Sequence, residues 1–189
     1  MTSFYSAEEL AQIGFKSVGE NVSISRKSSF YGVSRISIGS NVRIDDFCVI
    51  SAGEGGIEIG NYVHIAVFSS MMGDGKIAMG DFSGLSSRVA VYSSNDDYRG
   101  NSLTNPTVPS EYTGVTHADV HIGKHVIIGS GSVILPGVTL HEGAAVGALS
   151  LVNHDCEEFY IYTGAPAKKK AERSRKLLKL EEELMDMIG

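Results

Sequence analysis

Cysteine is nearly missing from this sequence. Two residues, Cys48 and Cys156, cannot make a disulfide framework, so no covalent staple holds the fold and a reducing compartment suits both thiols. Long apolar runs are absent too, and without a stretch of roughly 20 apolar residues no segment is built to cross a bilayer as a helix. No basic, apolar, small-residue leader opens the sequence, and the expected location is the cytoplasm, with no membrane insertion. Positive charge is in the minority: 16 Lys and Arg face 22 Asp and Glu, a net charge of -6. That balance argues against nucleic acid or an anionic membrane as the main partner, and an anionic ligand then needs cations gathered locally. What remains is a chain of 189 residues with 42% hydrophobic content, enough to bury a sizeable core as one domain.

The stretch from Ile122 to Val152 organises the rest. An aliphatic residue returns every six positions, at Ile122, Ile128, Ile134, Leu140, Val146 and Val152, and the fifth place of each six holds Val126, Ser132, Val138, Ala144 and Ser150. A helix wants a mean spacing near 3.6 and a half-buried strand alternates briefly and stops. A strict six does neither; it fits a solenoid of very short parallel strands whose aliphatic side chains stack inward from coil to coil. The ladder continues upstream through Ile38, Ile44 and Ile50, then Ile59, Ile65 and Met71, then Met79, Leu85 and Val91, with a weaker first set at Val18, Ile24 and Phe30. Three sixes make one coil, and coil starts lie 18 to 21 residues apart except across an insertion after Val91. A β-sandwich, the competing all-β architecture, spaces its turns every ~8 to 12 residues and does not repeat in sixes. Cys48 falls in the fifth column as a small buried hydrophobe, and Cys156 lies beyond the last complete coil.

Both ends carry helix signals. Ser6 and Glu9 form a capping box leading into Leu10 and Ile13, a short helix that covers the open end of the first coil. Residues Ala171 to Ile188 place Leu177, Leu180, Leu184 and Met187 at helical intervals, an amphipathic helix that serves either as an end cap or as a clamp on the coil face or a neighbouring subunit. The chain thus divides into a β-helix domain over 1–170, with its cap and an inserted loop at 94–121, and a helix over 171–189. The loop, rich in Asn, Asp, Ser and Thr and stiffened by Pro106 and Pro109, reads as an ordered functional arm.

The Ile-Gly-x-x-Val/Ser hexads, the ILPGV turn at Ile134 to Val138 and the closing GAPAK at Gly164 to Lys168 resemble the hexapeptide-repeat acyltransferases. The likeness is to galactoside and maltose O-acetyltransferases and, along nearly the full length, to sugar acyltransferases of bacterial O-antigen and capsule (lipopolysaccharide) pathways. The resemblance implies a mainly β fold: a left-handed parallel β-helix with a short N-terminal helix, a long loop after residue 91 and a C-terminal helix. Handedness comes from the resemblance alone, since parallel crossovers in general prefer the right hand. It further implies a homotrimer with the active site between subunits, and transfer of an acetyl group from acetyl-CoA to a hydroxyl or amine of a sugar or nucleotide-linked amino sugar, with no metal.

The family's site carries over with a departure. The position of the catalytic His in the galactoside type is here Asp96, while positions of the sugar pocket fall on His64 and Asp74. The chemistry needs a base for the acceptor's proton, and an imidazole oriented by a carboxylate is well matched to neutral pH. His64 is therefore the candidate base and Asp96 its orienting partner, with Asp97, Asp74, Asn95 and Asn105 as further acceptor-binding candidates. For coenzyme A the matching residues are Ser130, Gly147, Ala148, Asn153, His154 and Lys168; small residues admit the pantetheine arm, and Lys168 to Lys170 offer phosphate cations. The family often has Thr-Lys where this chain has Asn153-His154. Two competing readings are a non-catalytic binding or scaffold module, since repeat folds do not fix function, and a γ-carbonic-anhydrase-like zinc enzyme using His64, His117, His121 or His125. The family turn of the latter is missing, and histidines near in sequence ligate only where they converge.

Overall fold

The computed structural model describes residues 3–188 and shows a three-faced parallel β-solenoid. Met1, Thr2 and Gly189, at the ends of the two segments drawn from the sequence, lie outside the described residues. The first face stacks Ser17–Val18, Ile36–Ile38, Ile57–Ile59, Ile77–Met79, Val120–Ile122 and Thr139–Leu140. The second stacks Ser23–Ile24, Arg43–Ile44, His64–Ile65, Gly84–Leu85, Ile127–Ile128, Ala145–Val146 and Tyr160–Thr163, and closes on Lys168–Glu172. The third stacks Ser29–Tyr31, Val49–Ala52, Ser70–Gly73, Ala90–Tyr92, Val133–Ile134 and Leu151–Val152.

The register is the hexad ladder. Val18 pairs with Ile38, Ile38 with Ile59, Ile59 with Met79, Met79 with Ile122 and Ile122 with Leu140. Because strand side chains alternate, one inward residue per short strand suffices to build a continuous core, and Ile44, Ile50, Ile65, Met71, Val91, Ile128 and Ile134 are fully buried. The fifth column is buried with them: Cys48, Val126, Ser132, Val138, Ala144 and Ser150. Its serines return their hydroxyls to the coil, as Ser132 Oγ does to Gly147 O at 3.0 Å, and among the described residues no buried side-chain nitrogen or oxygen lacks a hydrogen-bond partner.

Corners turn through left-handed backbone. One corner column holds Asn21, Asn41, Tyr62, Phe82 and His125 at φ 54–59°, and another Phe47, Phe68 and Arg88 at φ 60–63°. That region costs a non-glycine residue roughly 1–2 kcal/mol. Stacking with the coil above or below offsets part of it: Tyr62 and Phe82 lie 4.6 Å apart at 2°, Phe47 and Phe68 5.0 Å apart at 13°.

The N-terminal helix α1, Ala7–Ile13, begins at the capping box, with Ser6 N–H donating to Glu9 Oε2 at 2.7 Å and Glu9 N–H to Ser6 Oγ at 3.3 Å. Leu10 is buried against the first coil. At the other end the helix α2 spans Lys176–Ile188, five residues later than the sequence suggests. Lys168–Glu172 is instead a strand, antiparallel to Tyr160–Thr163, because pairing with the last coil overrides the local helix pattern. The arm leaves the third face at Tyr92 and rejoins the first at Val120, its base tied as an antiparallel ribbon of Ser94–Asn95 with Thr116–His117. No helix among the described residues is long and apolar enough to cross a membrane.

Candidate active site

His64 stands outward on the second face, in the column Arg43, His64, Gly84, Ile127, Ala145 set by parallel pairing. Its Nε2 lies 2.8 Å from Asp45 Oδ2, and Asp45 Oδ1 accepts from Arg43 Nε at 2.7 Å. Within the chain the carboxylate on His64 is therefore Asp45, not Asp96. Partial burial pushes the Asp45 carboxyl up, but the hydrogen bonds from His64 and Arg43 outweigh it and hold it below the usual carboxylate range. In the neutral ring that donates Nε2–H to Asp45, Nδ1 carries the lone pair.

His64 borders a groove of about 720 Å³ walled on one side by α2. Ser86, Ser130, Phe82, Ile127 and the α2 residues Leu177, Leu180 and Leu184 line it. The helix is fixed at this wall by charge. Glu181 Oε2 meets Nε2 of His125, only 7% exposed, at 2.8 Å, and Glu181 Oε1 meets Lys124 Nζ at 2.6 Å. Arg173 Nη1 donates to the carbonyls of His125 and Gly143 at 2.7 and 2.9 Å. Burial raises the Glu181 carboxyl; its bonds to Lys124 and His125 more than reverse this and leave it below the usual range. Sequence patterning gave no sign of Asp45 or of this anchor.

The remaining sequence-derived residues fall in two other places. At the base of the arm, a cavity of about 550 Å³ holds Asp74, Ser94 and His117. Ser94 Oγ lies 2.7 Å from His117 Nδ1 and accepts from Asp74 N–H at 2.7 Å, while His117 Nε2 stands 4.0 Å from Asp74 Oδ2. Asn95 is part of the ribbon here, and Asp96 follows it, exposed and without a hydrogen bond or ion pair among the described residues. Asp97 is occupied in shaping the arm, taking backbone N–H bonds from Arg99, Asn101 and Ser102 at 2.6–2.8 Å. Those three amides, Arg99 foremost, lower its pKa. Asn105 is likewise engaged in a local turn with the N–H of Thr107 at 3.0 Å.

Of the coenzyme A candidates, Ser130 lines the His64 groove. Gly129 and Gly147 are packed too closely for a side chain, a Cβ meeting atoms at 2.5 and 2.6 Å. Gly147 and Ala148 follow Val146 directly, at the corner between the second and third faces. Asn153, His154 and Lys168 come together around a smaller cavity of about 380 Å³. Lys169 is tied to Glu157 at 2.8 Å and sits 3.4 Å from the Tyr160 ring centre, which leaves Lys168 as the cation at that cavity without an ion pair among the described residues. His117 stands on the arm ribbon, His121 outward on the first face and His125 at a corner, and among the described residues no three His, Cys, Asp or Glu side chains are grouped to hold a metal ion.

Residues 119–154 match the family described as bacterial transferase hexapeptide (six repeats). The chain is 63% identical over 173 residues to an Escherichia coli dTDP-4-amino-4,6-dideoxy-D-glucose acyltransferase, covering 92% of this chain and 90% of that one. AntD, an N-acyltransferase from Bacillus cereus solved with dTDP and 3-hydroxybutyryl-CoA, superposes with a TM-score of 0.94 at 49% identity, covering 100% of this chain and 99% of that one. A variant of AntD was solved with dTDP-4-amino-4,6-dideoxyglucose and coenzyme A, and superposes with a TM-score of 0.93 at 48% identity over 99% of both chains. A solenoid built on sixes, a carboxylate-held imidazole over an open groove, and identity sustained across nine-tenths of a related enzyme lead to one conclusion: the chain belongs to the hexapeptide-repeat acyltransferases.

Proposed function

We propose that this enzyme transfers an acyl group from its coenzyme A thioester to the amine of a nucleotide-linked amino sugar, with dTDP-4-amino-4,6-dideoxyglucose as the acceptor. The observation that carries the reading is the 63% identity to an acyltransferase of that sugar. The Asp45–His64 pair gives it a mechanism. The sugar amine attacks the thioester carbonyl and a C–N bond forms; His64 Nδ1 takes the ammonium proton, and Asp45 stabilises the imidazolium. Collapse of the tetrahedral intermediate breaks the C–S bond. His64 then returns the proton to the leaving thiolate, giving amide and free thiol.

Ser130, Gly147 and Ala148 line the path proposed for pantetheine, and Asn153, His154 and Lys168 receive the phosphates. The carboxylate of Asp96, exposed on the arm, is read as reaching the His64 groove of a neighbouring copy in a homotrimer, with Asn95 and Asp74 beside it. Cytoplasmic acylation of a surface-polysaccharide precursor fits this acceptor class. Incubating the protein with acetyl-CoA and dTDP-4-amino-4,6-dideoxyglucose should release thiol and yield a product heavier by one acetyl group in mass spectrometry. Thiol release without acceptor, or none with it, defeats the proposal.

A further inference from the structure

Both proposed substrates carry a diphosphate, and a chain of net charge -6 needs cations kept clear of its own carboxylates to hold one. Half of the 16 Lys and Arg are ion-paired with Asp or Glu. Arg35 and Arg173 are bonded to main-chain carbonyls. Of the rest, Lys16 adjoins the first coil, Lys168, Lys170 and Lys176 follow the last, and Arg99 belongs to the arm. Arg88 remains, directly after Ser86 and Ser87, which line the His64 groove.

Arg88 is held in place without being neutralised. It takes the corner between the second and third faces at φ 62°, its backbone N–H donating to Val67 O at 3.0 Å. Its guanidinium lies 5.5 Å from the ring centre of Phe68, which stacks in turn on Phe47. An aromatic face orients a guanidinium and leaves its charge intact. Its neighbours at this corner in the adjoining coils are Phe68 and Gly131, so no carboxylate flanks it from either side. Among the described residues the guanidinium has no hydrogen bond or ion pair, and its N–H fork is available to a phosphate. Arg88 follows Gly84, the pairing partner of His64, by four residues, a span of at most about 14 Å. In a pyranose C1 lies across the ring from C4, so an amine held at His64 sets its diphosphate one ring width away, within reach of an extended arginine at that corner. The donor's phosphates are assigned to the Lys168 cavity, at the other end of the pantetheine path.

Resting on the acyl-transfer reading, we infer that Arg88 binds the diphosphate of the nucleotide-linked acceptor and thereby selects it over a free amino sugar. Arg88→Gln keeps the side chain's length without its charge, and Arg88→Lys keeps the charge without the fork. Calorimetry with dTDP as the probe reads binding without turnover, and KM is measured for dTDP-4-amino-4,6-dideoxyglucose and for acetyl-CoA. Arg88→Gln weakens dTDP binding roughly tenfold, the worth of one charged hydrogen bond, and raises the acceptor KM by a similar factor. The KM for acetyl-CoA stays, kcat/KM for free 4-amino-4,6-dideoxyglucose stays, and Arg88→Lys recovers part of the loss. A rise in the acetyl-CoA KM alone gives Arg88 to the donor's diphosphate and overturns the inference. So does a dTDP affinity that Arg88→Gln leaves unchanged; a loss found only in Arg99→Gln then assigns the cation to the arm. These results leave acyl transfer standing. A native protein that does not bind dTDP also overturns the inference, and if it releases no thiol either, the acyl-transfer reading falls with it.

Discussion

An imidazole bonded through one nitrogen to a carboxylate is fixed in orientation and tautomer, which makes the other nitrogen a base at neutral pH. His64→Ala should lower turnover by roughly 10² to 10⁴, and Asp45→Asn by less, with an altered pH profile because the orienting charge is lost. Full activity in His64→Ala, with a steep loss in Asp96→Asn, would move the base to the arm. Because Asp45 titrates below the usual carboxylate range, it remains charged as pH falls to that range, so the acidic limb of the profile belongs to another group. The cysteines provide a separate check. Burial pushes both thiols up, Cys156 to about 12, so at pH 8 an aromatic disulfide reagent should titrate neither until the protein unfolds. His64 could be picked out as a candidate from the sequence because the hexad register puts it at a sugar-pocket position of the family it resembles. Asp45 was not, since its contact arises only when coils stack and bring a residue 19 positions away alongside.

At the scale of elements, α1 was fully announced by Ser6 and Glu9, because a capping box is a local arrangement that needs no tertiary partner. The start of α2 was not. The Lys168–Glu172 strand has no strand-like pattern of its own and exists through pairing with Tyr160–Thr163. What holds α2 afterwards is electrostatic as much as apolar, and this sets its pH response. Glu181 has a folded pKa below its ordinary 4.5. Its contribution is therefore complete above that value and lost as pH falls through the lower folded one. Hydrogen exchange, corrected for intrinsic rates, should show residues 176–188 losing protection in that acidic window ahead of the solenoid. At pH 7, Glu181→Gln should speed tryptic cleavage after Lys179; an unchanged rate would show that the leucine face alone docks the helix.

For the molecule as a whole, the repeat settled the architecture because a six-residue period has few alternative explanations, whereas the proposed homotrimer rests on family likeness alone. A homotrimer predicts a sedimentation-equilibrium mass three times that of the chain, and a stable monomer would remove the neighbour's Asp96 from the site. The arm leaves at Tyr92 and returns at Val120, where Ile77 and Met79 of the preceding coil already wait in register. Lengthening a loop costs only about 0.6 kcal/mol per doubling, so an excursion of this size weighs little against a ladder that closes with or without it. The solenoid is in this sense a frame with an open seam, and what is threaded through the seam can be rewritten without renegotiating the frame. If the arm holds the acceptor as proposed, selection can change which sugar is acylated by editing residues 93–119 while the stacked isoleucines stay as they are.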